Sequence, residues 1–202
     1  KRFHSGFIFP RRIRVLSETL SSLIAPGSSV LDIGCGNGAI ASLIRERIPT
    51  ISITGIEYQL RPGCLIPAEA FDGHRIALPD SSRDLCLFVD VLHHASDMQG
   101  LLREARRVSR RGVLIKDHLC RTSLDRTVLR FMDWVGNRAY GVSLHCRYLP
   151  ENTWRDLFAS CGLTAATWIT RLPLYPFPFS LVFGRNLHFI AMLEKGTASG
   201  SS

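Results

Sequence analysis

The sequence predicts an α/β chain on one seven-stranded, mostly parallel sheet with helices on both faces and an antiparallel last strand. Three observations predict this. Between residues 12 and 118, short apolar or β-branched runs alternate with stretches of helical periodicity, the βαβ pattern of a parallel sheet. Several of those runs are apolar almost throughout, as strands covered on both faces must be. The last two runs, residues 163–170 and 187–193, have no helical pattern between them, so the chain closes as an antiparallel hairpin.

Each element has its own signal. Ile13, Leu16, Leu20, Leu23 and Ile24 recur at spacings of three and four, which predicts a helix over 12–24, stopped by Pro26 and Gly27. Residues 29–33 read as the first strand. A second helix follows, with Ile40, Leu43, Ile44 and Ile48 on one face and Pro49 ending it. "ISITGIE", residues 51–57, has the β-branched content of a buried strand and ends in an acid. A third strand is expected over 65–71, before Asp72 and Gly73; "DLCLFVDVL", residues 84–92, is the fourth. Ser96 with Gln99 predicts a capping box for a helix whose buried stripe is Leu101, Leu102, Ala105 and Val108. Residues 112–118 form the fifth strand. Two further helices are expected, one carrying Leu124, Val128, Phe131, Met132 and Val135, the other Trp154, Leu157, Phe158 and Cys161.

Composition narrows the class. With 202 residues, 46% hydrophobic and 21% charged, the chain is globular and long enough for a real core. Six scattered cysteines without a C-x-x-C pair do not make a disulfide scaffold and suit a reducing cytoplasm. No signal-peptide pattern opens the sequence at Lys1, which leaves an upstream segment open. The proline-rich stretch "RLPLYPFPFSLVFGRN" is too interrupted for a membrane helix, so no transmembrane segment is expected. The net charge of +8 lies mostly in arginines, dense over 2–14 and in "REARRVSRR". It reads first as a solvated basic face and second as a polyanion site.

The chemistry centres on "VLDIGCGNGAIASLI", residues 30–44. Gly34, Gly36 and Gly38 let the backbone turn sharply after a strand and approach a ligand closely. The same loop fits a dinucleotide fingerprint through Gly34, Gly36 and Ala39, and charge separates the candidates. A pyrophosphate wants bare amides, whereas S-adenosylmethionine brings an ammonium and a sulfonium that suit Asp32. Glu57, at the end of the second strand, would accept from both ribose hydroxyls. Asp72, at the end of the third, would meet the adenine amino group. No Lys-Ser/Thr follows the glycines, which excludes a P-loop.

"VLDIGCGNG" resembles motif I of the class I S-adenosylmethionine-dependent methyltransferases. "FDGHRIALPDSSRDLCLFVDVLHHASDMQGLLREARRVSRRGVLIKDH" is similar to the strands and helix that follow it in that family, closest to the small-molecule branch related to quinone methyltransferases. The resemblance covers residues 12–120. It implies a Rossmann-like fold and S-adenosylmethionine as cofactor, with S-adenosylhomocysteine as product. Asp32, Gly34, Cys35 and Gly36 would contact the methionine end. Glu57 and Tyr58 would hold the ribose and flank the adenine, and Asp72 and Gly73 would complete the adenine end. Asp90, Val91, His93 and His94 would stand beside the methyl group. Glu57 replaces a more frequent Asp, and "YQLRPGCLIP" is too short for a full helix after it. One domain is expected over 1–195, comprising a helical cap (1–25), a helical substrate-side region (121–162) and closing strands (163–195). A flexible tail is expected at 196–202.

Methyl transfer needs a base only where the acceptor must lose a proton. His93, His94, His118 and His145 are candidates, and His94 and His118, just past strand ends, are preferred. Asp117 would orient an imidazole or cap the next helix. His118, Cys120, His145 and Cys146 are zinc-type residues at irregular spacing, so no metal is expected. Around the core, Phe3, Phe7, Phe9, Trp134, Tyr140, Tyr148, Tyr175, Phe177 and Phe179 favour a small apolar or aromatic acceptor. An RNA acceptor and a non-catalytic scaffold on the same fold remain the alternatives. The sequence does not specify the oligomeric state.

Overall fold

The structure is a computed structural model that describes residues 9–60, 62–137 and 146–196. Its helices are α1 (Phe9–Ser21), α2 (Ala39–Arg47), α3 (Met98–Val108), α4 (Ser123–Asn137), α5 (Glu151–Ser160) and the single turn α6 (Ser180–Phe183). Its strands are β1 (Ser29–Ile33), β2 (Ser52–Glu57), β3 (Ala68–Ala70), β4 (Arg83–Val89), β5 (Ser109–His118), β6 (Leu163–Ile169) and β7 (His188–Lys195). They form one seven-stranded sheet in the order β3-β2-β1-β4-β5-β7-β6. The first five strands pair in parallel, and β7 runs antiparallel to both β5 and β6. Chain order reverses at β1, which lies between β2 and β4. That switch point opens a crevice at the carboxyl ends of the strands.

Two apolar layers cover the sheet, each built from alternate strand residues. On one face Leu31, Phe88 and Ile115 pack with Leu102 of α3 and with Trp154 and Phe158 of α5. On the other Val30, Leu87 and Leu114 meet Leu16 and Leu20 of α1 and Ile44 of α2. This is why the strands read as apolar throughout. A third, smaller cluster of Cys120, Leu129, Tyr148 and Leu187 seats α4. No described helix is long and apolar enough to cross a membrane.

Three local expectations are corrected. Asp97, not Ser96, caps α3, its carboxylate accepting from Gly100 N at 2.8 Å, while Gln99 reaches sideways to Ser160. β3 keeps three residues of the seven expected, because only Gly55, Ile56 and Glu57 of β2 offer it partners. The fourth strand ends at Val89: Asp90 takes φ +58°, and Leu92–His94 form a 3-10 turn. Among the described residues between β2 and β3 there is no helix.

Candidate active site

The glycine loop leaves β1 at Asp32 and is tied to β2. Gly34 N and Cys35 N both donate to Ile56 O, at 2.8 and 3.3 Å. Gly34, at φ +73°, has Val91 so close that a Cβ would meet its Cγ2 at 2.6 Å. Gly36, at φ +59°, has nothing within 4 Å of where its Cβ would be, so that side of the loop is open. Glu57 accepts from Gly36 N at 2.7 Å and Gln59 N at 3.1 Å, which fixes its carboxylate under the loop. Asp32 is buried (3% exposed), and that burial, helped by the charge on Glu57, raises its carboxyl to about 7. A buried acid of that kind is short of a cation. Cys35 turns its side chain back over Gly55 of β2, leaving only its backbone to the crevice. Phe71 N pairs with Glu57 O, which brings the ends of β2 and β3 together. Tyr58 is exposed beside Gly73, and Asp72 folds into a turn, accepting from His74 N and Arg75 N.

On the other side of the switch point the chain builds a dense polar cluster. Lys116, fully buried in β5, and Arg12 of α1 both pair with Asp90. Burial alone would push the Asp90 carboxyl up; Lys116 and then Arg12 outweigh it and hold it well below the usual range. Burial lowers Lys116 in turn, and the same burial, together with Lys116, drives His188 well down. Asp117 receives the His93 Nδ1 hydrogen bond at 2.7 Å and the His118 backbone N–H at 2.7 Å. It therefore orients an imidazole; α4 is capped instead by Thr122 and Asp125, which exchange hydrogen bonds. The His93 ring lies 3.9 Å from that of His94, tilted at 44°, and meets that of His118 edge-on at 4.6 Å, centroid to centroid. His118 Nδ1 has no hydrogen-bond partner and lies 3.6 Å from Asp90 Oδ1.

The structure thus gathers the predicted residues into two groups. Asp32, the glycines, Glu57, Tyr58, Asp72 and Gly73 surround the loop; Asp90, Val91, His93, His94 and His118 line the far side. His93 belongs with the buried polar cluster, its ring held inward by Asp117. Sequence reading missed Arg12, Lys116, Asp133 and His188. The one available signal was Lys116, a lone cation inside the apolar run "GVLIKDH". Tyr148 and Tyr175 are buried beside the cluster, whereas Phe177 is 79% exposed. His145, Phe3, Phe7 and Tyr140 lie outside the described residues, as does the side chain of Phe9.

A Rossmann-like sheet with strand-end acids around a glycine loop defines the class I S-adenosylmethionine-dependent methyltransferases. The chain belongs to the family described as "Methyltransferase domain", whose profile matches residues 7–167. Malonyl-[acyl-carrier protein] O-methyltransferase of Serratia marcescens is 32% identical over 99 residues, 45% of this chain and 37% of the relative. A sterol 24-C-methyltransferase of Gibberella zeae is 32% identical over 126 residues, 55% of this chain and 33% of the relative. The matched stretch thus spans about a third of either relative's length. Among solved structures, a chain from the complex of the Haloferax volcanii Trm112 methyltransferase activator with its methyltransferase superposes with a TM-score of 0.70. It has 14% identity and covers 92% of this chain and 91% of that one, a likeness of fold.

Proposed function

We propose that the protein transfers a methyl group from S-adenosylmethionine to a small, apolar or aromatic acceptor. The observation that carries this is the pairing of an open glycine loop with a buried, cation-deficient Asp32 and a loop-facing Glu57. The bound group would supply an electrophilic methyl on a sulfonium. Asp32 would take its ammonium, directly or through water, and the Gly34, Cys35 and Gly36 backbone its carboxylate end. Glu57 would accept from the ribose hydroxyls, with Tyr58 against the adenine and Asp72 and Gly73 at its edge. Asp90 and Val91 would wall the methyl end.

The chain's own work on the acceptor is to position and desolvate it. His118 is the group we assign to receiving an acceptor proton, because its Nδ1 is unpartnered at the end of β5. His94 is less available: its Nδ1 faces Cys146 Sγ at 3.5 Å. Tyr148 and Tyr175 supply an aromatic lining that suits an apolar acceptor, and the sterol-methylating relative is in keeping with one. Six unpaired cysteines suit a reducing, cytoplasmic setting.

Calorimetric titration with S-adenosylmethionine and S-adenosylhomocysteine tests the reading. Micromolar binding of both, lost in Glu57→Ala, is the expected result, followed by turnover of apolar or aromatic acceptors. Absence of binding in the wild type would overturn it and bring the scaffold reading forward.

A further inference from the structure

We propose that α4 and the segment 170–187, between β6 and β7, form a face that docks on an anionic lipid bilayer. The docking itself is independent of the methyl-transfer reading. Both elements carry more apolar surface than their packing uses. In the segment, Leu174 and Tyr175 fill the core, whereas Phe177, Phe179, Leu181 (67%) and Val182 are exposed. On α4, Leu129 and Met132 pack inward. Leu124 and Phe131, two helical turns apart and directed away from them, are about half exposed. The Trp134 ring lies 6.2 Å from that of Phe131. Apolar side chains gathered on the outer side of an element whose inner side is already seated mark a contact surface.

The two elements lie side by side. The Arg121 guanidinium donates to Asn186 O at 3.2 Å, Leu119 N donates to Leu187 O at 2.9 Å, and Leu129 and Leu187 share one cluster. Helix α4 follows the end of β5, and the segment leads into β7 at His188, which pairs with His118. Both therefore stand at the carboxyl end of the parallel strands, where the crevice opens. Docking there brings the crevice to the bilayer surface, a route for an apolar acceptor; that consequence alone rests on the methyl-transfer reading.

Charge selects the partner. Arg121, Arg126, Arg130, Arg171 and Arg185 are all exposed on or beside these elements. The acids of α4 do not answer them at the surface. Asp125 is buried and accepts from Arg121 N and Thr122 N, while Asp133 turns in to Tyr148 and His93. The sequence has no acidic residue over 134–150 or 157–193. Exposed apolar side chains among arginines suit an anionic bilayer surface, the apolar groups entering the headgroup–acyl boundary and the cations meeting the headgroups. A second copy fits less well, because its arginines would meet these with no exposed acid between them. RNA makes no use of Leu181 and Val182, since aliphatic side chains give a base no ring to stack on.

The test is co-sedimentation of the full chain with phosphatidylcholine vesicles containing about 25% phosphatidylserine, against pure phosphatidylcholine, at about 0.1 M salt. The expected result is binding at least about tenfold tighter to the anionic vesicles, weakening as salt rises. Phe177→Ser with Leu181→Ser should weaken it by about tenfold. Arg126→Ala with Arg130→Ala should weaken it by roughly 25-fold, about fivefold per charge. Arg111→Ala, near the amino end of β5, should bind as wild type does. Circular dichroism of each variant separates loss of binding from loss of fold. Vesicle binding is read without cofactor or turnover, so its failure is distinct from failure of the methyl-transfer reading. No preference for anionic vesicles, or binding unchanged in the two double variants, would overturn the proposal. So would a loss in Arg111→Ala as large as in the arginine pair, which would mean attraction by diffuse charge. Without vesicle binding, a dimer in sedimentation velocity that Phe177→Ser with Leu181→Ser dissolves would overturn it in favour of a second copy. RNA binding lost only in the arginine pair, again without vesicle binding, would overturn it in favour of a polyanion site.

Discussion

Val91 stands where a side chain on Gly34 would have to go, its Cγ2 2.6 Å from the position of an added Cβ. The glycine loop and the end of β4 are thus in contact across the switch point. Gly34→Ala combines that overlap with a left-handed backbone and should destabilise by about 3 kcal/mol. Adding Val91→Ala should recover part of the loss, so the two changes are non-additive in denaturant unfolding. Gly36→Ala meets no neighbour and should cost only about 1–2 kcal/mol of stability, for its φ of +59°. Its larger effect falls on cofactor affinity in calorimetry, since the added methyl enters the open crevice.

Asp32 should give the apo protein a distinctive pH dependence. Burial first, then Glu57, raises its carboxyl to about 7 from an unfolded value near 4. For an acid raised on folding, the native state holds the proton more tightly. Its stabilising share is therefore full below about pH 4 and lost as pH rises through 7. Asp32→Asn carries no such loss. Its melting temperature should gain on wild type between pH 4 and 7, then level off. Affinity for the cationic cofactor should run the other way in the wild type, falling up to about tenfold per pH unit below 7. A flat affinity profile would remove Asp32 from cofactor binding.

Asp90 neutralises two cations, one of them completely buried. Asp90→Asn leaves Lys116 without its counter-charge and should cost about 3–5 kcal/mol in urea unfolding. Combining it with Lys116→Met removes the stranded charge and should restore most of that. Arg12→Ala should cost less, because the Arg12 side chain is 29% exposed and Lys116 keeps Asp90 paired.

The fold was largely readable because its signals are local. β1 emerges at the predicted residues, since "SVLDI" is bounded by Pro26-Gly27 on one side and glycines on the other. Asp32 and Glu57 could be placed because each ends a strand. The Ser96 capping box matched a pattern, but the helix starts one residue later, where the charged oxygen of Asp97 accepts from Gly100 N. The polar cluster was not readable. Arg12, Asp90, Lys116, Asp133 and His188 come from α1, the end of β4, β5, α4 and β7, and only pairing across the sheet assembles them.

Trp154 has a further consequence. Its indole N–H donates to the backbone carbonyl of His118 at 3.0 Å, while its ring is sealed between Phe158 and Phe189. Helix α5, on the outside of the molecule, is therefore wired optically to the strand end that carries the polar cluster. The emission of this one sheltered fluorophore, isolated by replacing Trp134 and Trp168 with phenylalanine, gives a continuous readout of β5 during ligand titration.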